Sequence, residues 1–361
     1  MSVFNENNTA HQTGDYPLFL GQKMGLYDSI TQVYPQLFDL YKLQKQQDWN
    51  EDEVDLSQSR QDFETCGNST FDVMIQTLMW QWEADSVASQ AIISLFSPFI
   101  SNSELFGMMM KQSEIEVLHA LTYSDIVRQC LKNPRAIIQE VMDNQAILDR
   151  SGVVVTHMRN LEIAGANYRL GVPQDEEELR RIILRALFAL LGLEGLEFIS
   201  SFACTFALAE QDLFLGIAQL VQKIMLDEIL HTKMDFAILD ILLKDPVWRN
   251  SFIAIKDDIK EILDEFVTGE EAWSDYLFSG GRAIIGLNPP LLKDWTYWNA
   301  APIYDYFGIE FGFNRPERDP LPWMDEWMHP EKQQNANQEQ TNTDYKLNAT
   351  VNDDEGMDFD F

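Results

Sequence analysis

The steps Glu116-Val117-Leu118-His119 and Glu228-Ile229-Leu230-His231 decide how this chain is read. Each sets a carboxylate and an imidazole three residues apart, on one face of a helix. Both lie inside long apolar patterns of helical period, where an ionised glutamate is costly unless it is paired.

Working outward, residues 70–97 place Phe71, Ile75, Leu78, Trp82, Asp85 and Ser89 on one stripe, so Asp85 is core-facing. Glu83 lies about 160–200° around that helix and is expected to be the solvated charge. In residues 102–131 the stripe is Leu105, Met109, Gln112, Glu116, His119, Tyr123 and Ile126. A third helix presents Leu187, Leu190, Glu194, Phe198 and Phe202, and a fourth Ile217, Val221, Ile224, Glu228 and His231. The order is therefore carboxylate, Glu-x-x-His, carboxylate, Glu-x-x-His: Asp85, Glu116/His119, Glu194, Glu228/His231. The separations from Asp85 to Glu116 and from Glu194 to Glu228 are 31 and 34 residues, which predicts two similar helix hairpins.

A four-helix bundle holds a pair of iron or manganese ions with such a set. Four carboxylates and two imidazoles suit hard to borderline octahedral ions, whereas zinc favours tetrahedral Cys and His sites. One isolated Glu-x-x-His step would read as a surface pair or a satisfied buried one. Two steps, each with an upstream carboxylate on an apolar face, do not. Glu326-Trp327-Met328-His329 has the same spacing but sits among Pro320, Pro322 and Pro330, with no stripe and no partner carboxylate, and is set aside. Tyr123 stands one turn beyond His119 on the metal-facing stripe. Beside an oxidising metal pair, with Phe198, Phe202 and Ile224 as apolar cover, it becomes a candidate radical carrier rather than a packing tyrosine.

Composition narrows the function further. The chain has 361 residues and a formal charge of -32, from 58 acids against 26 bases, which argues against nucleic-acid binding. Cys66, Cys130 and Cys204 are widely spaced and odd in number, so no disulfide framework is implied; they suit a reducing cytoplasm. Residues 1–20 open polar, without the apolar core of a secretory signal, and are expected to be flexible. The apolar run 186–193 is too short to span a membrane. Proline-free stretches at 36–97, 99–133 and 174–245 agree with long helices. Residues 280–330 collect Gly, Pro and aromatics and read as irregular wrapping on an all-α body over 21–330. Residues 331–361 are rich in Gln, Asn and acids, a composition that predicts disorder. Their end alternates acidic and aromatic positions, with Met357, Phe359 and Phe361 as anchors for a partner's groove.

The chain resembles the small, radical-generating subunit of class I ribonucleotide reductase from about Trp49 to the C-terminus. The resemblance is carried by Ala84-Asp85-Ser86, by the run from Ser113 to Tyr123, by LEGLEFISSFACTF from Leu193 to Phe206, and by Asp227-Glu228-Ile229-Leu230-His231. It implies a ferritin-like helical bundle, usually a homodimer, with two irons per subunit. Asp85, Glu116 and His119 would hold one ion and Glu194, Glu228 and His231 the other, Glu116 and Glu228 being able to bridge. Tyr123 would become the tyrosyl radical on reaction with O2, and the large subunit would use that radical to reduce ribonucleotides.

The same resemblance makes Trp49, Asp227 and Tyr345 an electron-transfer relay and residues 345–361 the segment that docks on the large subunit. Cys204 reads as core. Three departures stand near the centre: Gln112 where many relatives have tryptophan, and Glu197 and Leu226 where basic residues are common. A di-iron oxygenase or desaturase shares the ligands but needs a substrate channel, and a ferritin-like storage protein would take up far more metal per chain. Manganese suits the same donors.

Overall fold

The computed structural model describes residues 4–329, so Tyr345 and the tail from 331 lie outside the described residues. The helices used below are α1 (Pro35–Gln46), α2 (Asn68–Phe96), α3 (Ser103–Cys130), α4 (Gly152–Leu170), α5 (Glu176–Gly192), α6 (Ile199–Ala209), α7 (Leu215–Lys244), α8 (Lys256–Leu277) and α9 (Pro289–Tyr306). Among the described residues, extended pairing is confined to two isolated bridges, Phe19–Ile100 and Ile284–Leu287. The fold is all-α, as the 3.6-residue stripes predict. No helix among the described residues is long and apolar enough to cross a membrane.

The α2–α3 hairpin forms because Pro98 stops the first helix and Asn102 starts the second, its side chain accepting from the Leu105 N–H at 2.9 Å. The second hairpin runs α5, a π-helical turn at Leu193–Glu197, α6, and back along α7. Asp175 caps α5 by accepting from Glu177 N–H, and Glu176, Glu177 and Glu178 favour the positive end of the helix dipole. Between α6 and α7, Asp212 and Phe214 take left-handed backbone at φ 59° and 56°. Such residues cost about 1–3 kcal/mol each and persist only when their surroundings hold them. Here the Phe214 ring lies 4.6 Å from that of Phe63, and its N–H donates to Asp62 Oδ2 at 2.8 Å.

The π turn was not expected. The stripe Leu187, Leu190, Glu194, Phe198, Phe202 reads as unbroken helix, yet one extra residue per turn over Leu193–Glu197 brings both Glu194 and Glu197 inside. Gly192, just before it, allows α8 to close in, since a Cβ there would meet the Phe266 ring at 2.2 Å.

Two other expectations need revision. Within residues 280–330, expected to be irregular, α9 is a regular helix of 18 residues. Asn288 caps it, Pro289 and Pro290 occupy its first turn where no N–H is needed, and Pro302 is accommodated inside. Of residues 1–20, expected to be flexible, Tyr16, Leu18 and Phe19 are buried, and Leu20 N–H donates to Phe99 O at 2.9 Å. Their apolar side chains interrupt an otherwise polar segment and give it something to bury.

Candidate metal centre

Asp85 from α2, Glu116 and His119 from α3, Glu194 from the π turn, and Glu228 and His231 from α7 converge in one buried layer. Two overlapping groups, Asp85/Glu116/His119/Glu228 and Glu116/Glu194/Glu228/His231, each have one ligand atom per residue within 4.8 Å of the others. Glu116 and Glu228 belong to both groups, so either would be placed to serve two ions. Each histidine turns Nδ1 inward. For His119 it lies 3.0 Å from Glu228 Oε1 and 3.5 Å from Glu116 Oε2. For His231 it lies 2.7 Å from Glu116 Oε1, 3.2 Å from Glu228 Oε2 and 3.5 Å from Glu194 Oε2.

The electrostatics ask for cations. Burial, reinforced by the charge of Glu116, pushes the carboxyls of Asp85 and Glu194 well above their ordinary range. Burial raises Glu228 too, but its contacts with His119 and His231 outweigh that and leave it low. Burial alone would lower both imidazoles; hydrogen bonds and charge from the surrounding carboxylates hold them well above their usual value. Among the described residues, no hydrogen bond of proper geometry reaches the oxygens of Asp85 or Glu116. Taking ions out of water costs several kcal/mol each, so four such carboxylates need a counter-charge that two divalent cations supply. The residues present fit a pair of metal ions.

Around the centre, polar groups fix the ligands. Asp227 accepts from Trp49 Nε1 at 2.8 Å and from Gln44 Nε2 at 2.7 Å, and its Oδ2 lies 3.1 Å from His119 Nε2. The Trp49 and His119 rings stack at a centroid distance of 6.1 Å. With a cation at Nδ1, this carboxylate would hold the His119 proton on Nε2 and leave the lone pair inward. Gln112 donates from Nε2 to Glu194 Oε1 at 3.0 Å, so the residue in the usual tryptophan position holds a ligand. Tyr123 is fully buried and donates to Gln81 Oε1 at 2.8 Å. Burial and the nearby Asp85 charge raise its phenol well above the usual value, which keeps the proton on oxygen. Phe198, Phe202 and Ile224 are buried in the same hydrophobic core, the two phenyl rings stacked at 5.7 Å.

Glu83 is not the solvated charge expected of it. The Ser151 hydroxyl donates to its Oε2 at 2.6 Å, and burial raises its carboxyl. The cause is tertiary: α4 packs on α2 and half-covers the face that carries Glu83. Glu197 is buried as well, and a base absent from its own sequence neighbourhood comes from Arg150. The Arg150 guanidinium donates to Glu197 O at 2.8 Å, pairs with Glu270, and lies 3.9 Å and 4.5 Å from the ring centres of Trp80 and Trp273. Leu226 is partly exposed, and His329 is paired with Asp325 away from the centre. Gln44 and Arg150 had no signal in the sequence, since both arrive from distant helices. Gln81 had one: it lies one turn before Asp85 on the same face. A cavity of about 560 Å³ lined by Ile199, Phe202, Met225, Phe236, Ile303 and Met328 reaches Glu194 and Glu228.

The family profile described as "Ribonucleotide reductase, small chain" matches residues 29–320. The chain is 26% identical over 337 residues to the ribonucleoside-diphosphate reductase subunit beta of Buchnera aphidicola subsp. Schizaphis graminum, covering 90% of this chain and 89% of that one. The fold is similar to the R2 subunit of ribonucleotide reductase from Clostridium botulinum, with a TM-score of 0.79 at 20% identity over 91% of this chain and 98% of that one. It is also similar to the dimanganese(II)-NrdF of Streptococcus sanguinis, with a TM-score of 0.65 at 15% identity over 86% and 100% of the two chains. With the profile spanning most of its length, the chain belongs to the small-chain family of ribonucleotide reductase, as the small subunit of a class I enzyme that works with a large subunit.

Proposed function

We propose that the centre holds two iron ions, that Tyr123 carries the tyrosyl radical, and that Asp227 and Trp49 form the inner part of its route to the large subunit. When bound, the metals supply, with O2, the oxidising power that a buried phenol requires. The observation that carries the reading is the placement of Tyr123: fully buried, one turn beyond a ligand histidine, hydrogen-bonded only to a neutral amide among the described residues. Its raised phenol keeps the proton on oxygen until an electron leaves. The hydrogen-bonded line from His119 through Asp227 to Trp49 supports the relay, because it joins a ligand to a ring 5% exposed. The apolar cavity ending on Glu194 and Glu228 supports entry of O2 from that side. A di-iron oxygenase would use the same cavity for its substrate, but full-length relatives named as reductase subunits weigh against it.

Reconstitution of the metal-free protein with ferrous iron and O2 is expected to give a tyrosyl signal in electron paramagnetic resonance, absent in Tyr123→Phe. Persistence of that signal in Tyr123→Phe sinks the assignment. The donors also suit manganese, and metal analysis of protein from its native source reads which ion is held. Tyr345 and residues 345–361, outside the described residues, complete the proposal as relay tyrosine and docking segment. Their support is the alternation of acids with Met357, Phe359 and Phe361. Deleting 345–361 is expected to abolish reductase activity with the large subunit while leaving metal content unchanged.

A further inference from the structure

The two ligand histidines differ in what stands behind them. Nε2 of His119 faces Asp227 at 3.1 Å, and Asp227 is itself held by Gln44 and Trp49. Nε2 of His231 is equally buried but has no hydrogen-bond partner among the described residues. One turn further along α7 stands Asp235, 0% exposed, and neither of its carboxylate oxygens meets a donor among the described residues. It belongs to neither ligand group. Residues four apart on a helix share a face, with Cβ atoms about 5–6 Å apart. A donor nitrogen and an acceptor carboxylate, both buried and both unsatisfied, thus stand one turn apart on one helix.

A neutral imidazole that offers Nδ1 to a cation carries its proton on Nε2, and that N–H requires an acceptor. A buried carboxylate without a donor is costly, so its presence in this core calls for a use. Burial pushes the Asp235 carboxyl well above its ordinary value, and His231 is the foremost charge drawing it back down.

We infer that Asp235 is a positioning residue for the second metal. It accepts the Nε2–H of His231, directly on a rotamer change or through one bridging water, and so plays for His231 the part Asp227 plays for His119. The inference rests on the dinuclear reading of the centre. Its consequence is that both imidazoles are backed by carboxylates, one linked outward to Trp49 and one closed inside α7. Acceptance of the Nε2 proton fixes the His231 tautomer and raises the basicity of Nδ1, an effect worth about 10–100-fold in metal affinity.

The test uses the full-length metal-free protein and Mn(II) as the probe. Wild type is expected to bind two Mn(II). In Asp235→Asn, one Mn(II) is expected to weaken about 10–100-fold and the other by less than about threefold. The melting temperature of metal-free Asp235→Asn is expected not to fall, because the amide oxygen can still accept a hydrogen bond and a buried ionisable group has been removed. Imidazole 15N shifts of the zinc-loaded protein should move at His231 and hold at His119, and Asp235→Glu should restore part of the affinity. Unchanged Mn(II) affinities and His231 shifts in Asp235→Asn overturn the proposal. So does a marked fall in melting temperature with both sites weakened alike, which would make Asp235 a packing group. Failure of wild type to bind two Mn(II) overturns the dinuclear reading itself, and is recognisable because it precedes any comparison of variants.

Discussion

The phenol of Tyr123 and the amide of Gln81 meet inside a sealed core, and if Tyr123 carries the proposed radical their contact has to serve two states of the oxygen. With the proton on, the hydroxyl donates to Gln81 Oε1. With the proton and an electron gone, the oxygen can only accept, and a flip of the amide would present Nε2, which has no partner among the described residues. Replacing Gln81 by Leu is therefore expected to have two readouts. Leaving a buried hydroxyl unsatisfied should lower the stability of the metal-free protein by about 1–3 kcal/mol in urea titration. In the reconstituted protein the low-field g value of the tyrosyl signal should shift, since it reports hydrogen bonding to the phenoxyl oxygen; an unmoved g value would remove Gln81 as its partner. The six side chains that converge were legible in the chain because i, i+3 spacing and apolar stripes are local properties of one helix. Gln81 and Asp235 obey the same periodicity, each one turn from a member of the set, but neither completes the repeated order of carboxylate and Glu-x-x-His, so that order does not single them out. Gln44, whose side chain meets Asp227 across a separation of 183 residues, could be found only once α1 was seen to pack against α7.

At the scale of the element, α3 is unusual in being apolar on two sides. Its inner face carries Glu116, His119 and Tyr123, while Met110, Val117 and Leu121 stand out on the other side at 48%, 46% and 52% exposure. These three recur at spacings of seven and four, a continuous ridge, and an exposed apolar ridge of this kind marks an interface. A second copy of the chain is the occupant expected for it. Wild type is then expected to sediment as a dimer and the double variant Val117→Glu, Leu121→Glu as a monomer. Its melting temperature in the monomeric state should hardly change, because neither side chain is in the core. A dimer that survives both substitutions would move the interface elsewhere. The π turn shows the limit of reading elements from periodicity. A stripe stepping by three and four residues is satisfied by an α-helix, and an extra residue in one turn leaves those steps intact while rotating everything beyond it. The burial of Glu197 and the partial covering of Glu83 by α4 both depend on neighbouring helices, which one helix's pattern does not encode.

Over the whole molecule, a chain of formal charge -32 gathers four of its carboxylates around one small buried volume. Two kinds of repulsion follow, and they respond to different agents. Surface charges lie in water and are screened by salt, whose Debye length falls from about 30 Å at 0.01 M to about 3 Å at 1 M. Charges in the dry centre are hardly screened and need ions bound among them. Binding that favours the folded state adds about 2.7 kcal/mol per site when free metal exceeds its dissociation constant a hundredfold. Removing metal with a chelator should therefore lower the melting temperature, and calorimetry at two salt concentrations separates the two repulsions. Raising sodium chloride from about 0.02 M to about 0.5 M is expected to stabilise the metal-loaded and metal-free proteins by similar amounts, by relieving the surface. The gap between them is expected to persist, because salt cannot reach Asp85, Glu116, Glu194 and Glu228. If that gap closes in high salt, the metals act on the surface charge and the buried layer is not what holds them.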